Sequence, residues 1–436
     1  METTARFDAV VVGGGPGGSV CATRLARGGA KVLVLEKAQF PRFHLGESLL
    51  PQSLPVLESI GVLEEVSATF IHKYGARFHD DAKGRKGRFS FDGAWNSDRD
   101  HAFQVQRGTF DKILLDHAAR SGVDVRHEWT VTGAVREGTR VVGVLATAPD
   151  GTPARFDASY VVDASGRDAL FAHEARSTEK IIDLDQTAIF AHFEGVARQE
   201  GKFEGDIDIV IFRQSPDARP NWFWIIPFKD GQTSVGVVVS RAWIKEQRAK
   251  LSPEAIAKRG GDDMTALFHA AIRDSRACSE LLAGATMTWP AARAAADFSY
   301  RVRELVGEGW IAVGDAGGFI DPLFSTGAHL AMCGGKAAAD ALLELLALEP
   351  QARAQAEMAR LAAWEKMLRA GAETFILAVQ AFYAGPLMEA LFSENKHNAL
   401  RRSITSLLAG DVFSDAVWLR DARLRIAEML TQRTPS

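Results

Sequence analysis

DAVVVGGGPGGSVCATRLARGGAKVLVLEK, residues Asp8 to Lys37, is the stretch whose reading decides the fold. Its apolar run Ala9 to Val12, closed by glycine, has the composition of a buried parallel strand. Gly13, Gly15 and Gly18 then set out G-x-G-x-x-G. A helical segment runs through Arg27, and Lys31 to Leu35 forms a second apolar strand that ends on Glu36. Each part has a physical task in holding a dinucleotide. Gly13 makes the tight turn, Gly15 lets a pyrophosphate approach the backbone, and Gly18 lets the helix pack closely on the strand. The helix N-terminus carries about half a positive charge towards the phosphates, and Glu36 can accept from a ribose hydroxyl. Glycines alone would mean only a turn in some α/β protein. Strand, helix, strand and acid together specify a dinucleotide site, without saying which dinucleotide.

At 436 residues the chain exceeds one typical domain, so two or three lobes are expected. An apolar fraction of 47% and a charged fraction of 24% are those of an ordinary globular protein. The net charge of −4 removes the electrostatic case for nucleic acid or an anionic membrane as partner. Cys21, Cys278 and Cys333 are too few and too scattered for a disulfide framework. Cys21 and Cys333 fall in helical segments, where buried, inert thiols are expected. Neither a secretory leader pattern nor an apolar run of membrane-spanning length is present, so the expectation is a cytoplasmic enzyme with no membrane span and no metal.

Beyond Glu36 lies a loop from Phe40 to Ser48 that holds Arg42, His44, Glu47 and Ser48, and an apolar-periodic helix is expected to follow to about Glu65. Phe70 to Phe91 alternates as strands do, with Lys73 in HKYGARF. Gln104 to Arg120 reads as the end of a strand and then a helix. Val123 to Ala164 reads as short strands with turns at Glu137-Gly138 and Asp150-Gly151, returning to a buried strand in VVDASGR, Val161 to Arg167. Thr187 to Ser240 is strand-like, with a hairpin at Lys229-Asp230-Gly231-Gln232. Leu251 to Leu282 is expected to be helical, Trp310 to Gly314 a short strand, and the chain from about Pro350 a set of helices. The resulting fold class is α/β (α+β overall). A nucleotide lobe is interleaved with an antiparallel-sheet lobe, and helices follow at the C-terminus.

Three distant segments belong together: GGGPGG with its Glu36, DASG at Asp163 to Gly166, and GDA at Gly314 to Ala316. Together they resemble the FAD-dependent aromatic hydroxylase superfamily, which implies a Rossmann-like FAD lobe of the glutathione-reductase type. In that resemblance Asp315 contacts the ribityl or pyrophosphate region, and Arg107, ahead of the helix at Thr109, is a flavin-contacting arginine. Gly13, Gly15, Pro16, Gly17, Gly18, Glu36, Lys37, Arg42, Ser48 and Gly327 complete the expected cofactor contacts. Residues 1–67, 104–180 and 301–345 are then the FAD lobe, 68–103 and 181–300 the substrate lobe, and 346–436 the C-terminal helical region.

Trp222-Phe223-Trp224-Ile225-Ile226-Pro227 narrows the resemblance. As a strand it puts Trp222, Trp224 and Ile226 on one face, with Pro227 at the end, where a missing N–H is tolerated. An aromatic-rich core strand would look the same. Yet W-x-W-x-I-P is the signature of flavin-dependent halogenases, and Lys73 sits where the phenol and pyrrole branch carries its catalytic lysine. HLGESLLP (His44 to Pro51), RGTFDKILLDHA (Arg107 to Ala118), DPLFSTG (Asp321 to Gly327) and GDVFSD (Gly410 to Asp415) are similar to the same branch.

The resemblance implies that reduced FAD, O2 and chloride or bromide yield hypohalous acid. It places the halide at Ser325, Thr326 and Gly327, where a helix N-terminus offers amide N–H groups; a plain N-cap role for Ser325 or Thr326 is the structural alternative. Lys73 would deliver the hypohalous acid as an ammonium that polarises it or as an amine that carries the halogen. The two tryptophans would keep substrate from the flavin. His44 and Glu47 are candidates for a second acid or base. Trp364, Phe375, Phe382, Tyr383 and Phe392 are candidates to line the substrate entrance, although helix packing explains such aromatics equally well. The partners implied are an electron-rich arene, free or on an acyl or peptidyl carrier protein, and a flavin reductase, since only one dinucleotide fingerprint is present. The competing activities are aromatic hydroxylation and a geranylgeranyl-reductase-like reaction.

Overall fold

Phe7–Val12 is the central strand of a sheet whose parallel order runs Trp310–Ala312, Pro153–Asp163, Phe7–Val12, Val32–Glu36, Asp124–His127. The computed structural model describes residues 6–181, 184–214, 219–251, 263–393 and 398–431. Ala9 and Val11 pack on one side against Cys21, Ala22 and Leu25 of the fingerprint helix Pro16–Arg27 and Ala338 and Leu342 of the helix Thr326–Leu346. Val10 and Val12 point the other way, onto Val144 and Phe156 of an antiparallel meander, Thr130–Glu137, Arg140–Thr147 and Pro153–Asp163. The period of two along one strand thus fills two apolar layers. The two helices cross closely because both have glycine there: a Cβ on Gly335 would lie 2.3 Å from the Gly17 carbonyl oxygen.

A second sheet has the order Thr286–Met287, Gln186–Glu194, Thr233–Ser240, Pro220–Pro227, Ile207–Gln214, Gly75–Asp80, Arg85–Ser90, with Arg293–Ala296 also on Gln186–Glu194. It is antiparallel except where Ile207–Gln214 runs parallel to Gly75–Asp80. The signature strand Pro220–Pro227 is central to it. Trp222, Trp224 and Ile226 face Phe375 and Phe382 of the long helix Pro350–Ala384, while Phe223 and Ile225 face Trp243, Leu267 and Phe268 on the opposite side. The molecule is the mixed α/β architecture expected, with helices at the C-terminal end.

Some elements differ from the expectation. The helix after Ser48 is interrupted: Leu54–Ser59 stops, Gly61 takes φ 74°, and a second helix spans Leu63–Thr69. The left-handed glycine at the end of the first helix breaks the run that apolar periodicity suggested. Helix Arg241–Arg248, which the strand-like composition before it hid, begins on a Ser240 cap whose Oγ accepts from Trp243 N. Of the expected helix Leu251 to Leu282, residues 252–262 lie outside the described residues; the rest is two helices, Asp263–Asp274 and Arg276–Leu281, divided at Ser275. Among the described residues no helix is long and apolar enough to cross a membrane.

Candidate active site

A cleft of about 730 Å³ runs from the fingerprint to the face of the second sheet. At one end Gly13 takes φ 103°, and a Cβ there would meet the Ala164 oxygen at 2.4 Å; one on Gly18 would meet the Gly13 oxygen at 2.1 Å. Neither glycine can be replaced without moving backbone. Gly15 differs: a Cβ there would find no atom closer than Arg42 Nη2 at 3.7 Å, so its bare backbone faces open space. Pro16 starts the helix and no side chain caps it, leaving its first N–H groups free for phosphate oxygens. This cradle fits the pyrophosphate of FAD. Glu36 is buried at the strand end; Oε2 accepts from Gly14 N at 2.7 Å and Oε1 from Ala38 N at 2.8 Å. Each oxygen keeps a lone pair for a ribose hydroxyl.

Arg107 and Asp315 both reach the cleft. Arg107 is buried and clamped by Asp111, Nε to Oδ1 at 2.7 Å and Nη2 to Oδ2 at 3.0 Å, and its Nη1 donates to the Leu45 oxygen at 2.7 Å. Arg42 also meets Asp111, at 3.2 Å, so one buried carboxylate orients two cleft-facing cations. The Arg107–Asp111 spacing of four in a helix is a signal present in the sequence itself. Burial raises the Asp315 carboxyl to about 6, with Arg107 and Arg167 opposing. Lys37 lies on the exposed rim, paired with Asp168.

Ser325, Thr326 and Gly327 lie on the cleft wall. The helix starts at Thr326, and Ser325 precedes it at φ 56°, ψ 35° without a side-chain cap bond. The plain N-cap alternative for Ser325 is therefore not what the structure has. A Cβ on Gly327 would press on the Phe319 ring at 2.9 Å.

Lys73 ends the short strand Ile71–Lys73 and is 2% exposed. Its Nζ donates to Ser48 Oγ at 2.8 Å and to the Leu49 oxygen at 3.1 Å, and lies 5.3 Å from the centre of the Phe91 ring. Ser48 is on the cleft wall and Lys73 directly behind it. Burial lowers the ammonium to about 7 despite the opposing charge of Asp206, so both protonation forms are populated near neutrality. His44 donates from Nδ1 to the Leu45 oxygen, and the Arg107 charge with burial lowers it to about 4, keeping it neutral. Glu47 Oε1 accepts from His192 Nε2 at 3.0 Å, while its buried Oε2 has no hydrogen-bond partner among the described residues. His192 comes from the second sheet, and nothing in its local sequence marks it.

The signature residues divide. Trp224 and Ile226 reach the cleft wall, whereas Trp222 and Pro227 do not. That corrects the picture of two tryptophans screening the flavin together. Trp364, Phe375, Phe382, Tyr383 and Phe392 are interior packing residues, none of them on the cleft wall.

Fold and cleft define a dinucleotide-binding α/β protein: a dinucleotide cradle opens onto a β-sheet face, with a buried, part-neutral lysine beside it. The chain belongs to the tryptophan halogenase family, whose model matches residues 8–97 and 92–408. It is 35% identical over 354 residues to a tryptophan 2-halogenase of Chondromyces crocatus, covering 80% of this chain and 63% of that protein. The chain thus spans under two thirds of that relative's length. It is 30% identical over 426 residues to the 1H-pyrrole-2-carbonyl-(peptidyl-carrier protein) chlorinase of Pseudomonas fluorescens, covering 94% of this chain and 90% of that protein. The solved structure of the flavin-dependent brominase Bmp2 superposes with a TM-score of 0.83 at 26% identity, covering 99% of this chain and all of that one. The halogenase resemblance read from the sequence is the right one. Several relatives are named flavin-dependent halogenases, and the solved myxobacterial halogenase CndH, 29% identical, is described as a variant of FAD-dependent halogenases.

Proposed function

We propose that this chain is an FAD-dependent halogenase acting on an electron-rich arene, a phenol or pyrrole, with Lys73 as its catalytic residue. Bound reduced FAD with O2 supplies the oxidation of chloride or bromide to hypohalous acid. The chain supplies the rest. The fingerprint glycines, Pro16, Glu36, Lys37, Arg42, Ser48, Arg107 and Asp315 hold and orient FAD, with Gly327 at the flavin end, and Ser325, Thr326 and Gly327 hold the halide. The observation that carries the reading is the Lys73 ammonium, buried and lowered to about 7, one hydroxyl away from the cleft. A buried charge that costs several kcal/mol is kept for a reason, and a lysine of that acidity can donate to hypohalous acid or take its halogen. Glu47, with one oxygen unused, is suited to accept the proton that the ring loses.

A carrier-bound pyrrole is supported by the near full-length match to the carrier-protein chlorinase. The assignment of 1–67, 104–180 and 301–345 to the FAD lobe, 68–103 and 181–300 to the substrate lobe and 346–436 to the helical region belongs to the same reading. So do a separate flavin reductase and a cytoplasmic location. Lys73→Ala tests the catalytic claim: the variant should bind FAD as the wild type does and form no halogenated product. A variant that still halogenates removes Lys73 from the mechanism.

A further inference from the structure

Trp222 and Trp224 share one strand and one face, yet only Trp224 borders the cleft. Trp222 is fully buried, and its indole N–H donates to Tyr383 Oη at 2.9 Å. Tyr383, at the end of the long helix Pro350–Ala384, passes its own O–H to Asp321 Oδ2 at 3.0 Å. Asp321 has no exposed surface, and its other oxygen accepts from Leu323 N at 2.9 Å. An indole only donates, so the Tyr383 oxygen accepts from Trp222 and its single O–H is left to donate to Asp321. It joins three distant parts of the sequence in the interior.

Its end point gives it a task. Asp321 caps the turn Pro322–Phe324, which Ser325 N closes by donating to the Pro322 oxygen at 3.0 Å. Ser325 then adopts the left-handed conformation at φ 56°. A residue with a Cβ stays there only when its surroundings over-determine it. Thr326 and Gly327 follow directly on the cleft wall.

We infer that Trp222 is a positioning residue for the halide site: its N–H, relayed through Tyr383 to Asp321, holds the 321–327 turn in the shape that presents Ser325, Thr326 and Gly327 to the cleft. This rests on the reading that halide binds at those three residues. The signature tryptophans then have separate work. Trp224 bounds the cleft, and Trp222 braces the halide turn from behind. Phenylalanine would serve for burial alone; the N–H is what requires tryptophan.

Trp222→Phe and Tyr383→Phe each break the chain while keeping a ring in place. Initial halogenation rates of the FAD-loaded, full-length enzyme give the KM for chloride and bromide, alongside the arene KM and the FAD Kd. Each variant should raise the halide KM at least tenfold and leave the arene KM and FAD Kd within twofold. The double variant should be no worse than the poorer single one, because both interrupt one chain. An unchanged halide KM in a wild-type background that saturates with halide overturns the inference and leaves the halogenase reading intact. Multiplying effects in the double variant also overturn it, since they mean two independent packing defects. A wild type with no halide-dependent product overturns the underlying reading instead. If Trp222→Phe does not fold, Tyr383→Phe, which deletes a single oxygen atom, carries the same test.

Discussion

Replacing Lys73 with methionine should make the protein more stable near neutrality while abolishing its activity. The side chain is buried and its pKa falls from 10.5 to about 7. At about 1.36 kcal/mol per pH unit, that is about 5 kcal/mol against the charged form, or about 4 kcal/mol at pH 7, where half the folded population is neutral. Methionine fills nearly the same volume without the charge. It strands the Leu49 carbonyl and the Ser48 hydroxyl, at a cost of about 1–3 kcal/mol. The net expectation at pH 7 is a gain of about 1–3 kcal/mol. The sign with pH follows from a depressed lysine pKa. The unfolded chain binds the extra proton between pH 7 and 10.5, so wild-type stability rises over that window and is fully penalised only below pH 7. Urea unfolding of both proteins at pH 7 and pH 10, with FAD in the same excess, should show the advantage of the methionine variant fall by about 3 kcal/mol, leaving it level with the wild type or less stable at pH 10. A gap that ignores pH, or a variant less stable at pH 7, refutes the claim that Lys73 is held against its own solvation.

Gly18→Ala would drive a Cβ to 2.1 Å from the Gly13 oxygen, so the purified variant should lack the visible absorbance of bound flavin. Gly93→Ala, where nothing lies within 4 Å, should keep it. Arg107→Met leaves Asp111 buried and short of its main partner, and should cost about 3–5 kcal/mol in an unfolding titration; adding Asp111→Leu should recover most of that loss.

The parts of the fold that were legible in the sequence are those whose constraint is local. A Cβ at residue 18 collides with the backbone of Gly13, one turn earlier in the same fingerprint, so glycine spacing carries the information. The faces of Pro220–Pro227 follow from a period of two, and Trp222, Trp224 and Ile226 do share a side. What those residues do on that face was not legible. Trp222 finds Tyr383 161 positions away, and Glu47 finds His192 145 positions away, and no spacing rule links them. Lys73 was identifiable by family likeness, but its near-neutral pKa depends on Ser48, Leu49 and Phe91 enclosing it. The break at Gly61 leaves no mark in the pattern, because apolar periodicity continues across it on both sides.

Halogen placed on an arene is the most direct sign of the proposed activity. Reduced FAD, O2 and a mixture of chloride and bromide should be supplied with free phenols and pyrroles and with a pyrrole on a peptidyl carrier protein. The product mass is then read by isotope pattern. The product should have lost one hydrogen and gained one chlorine or bromine, a change absent when halide is omitted and absent with Lys73→Ala. A product heavier by one oxygen, formed with or without halide, would contradict the proposed activity.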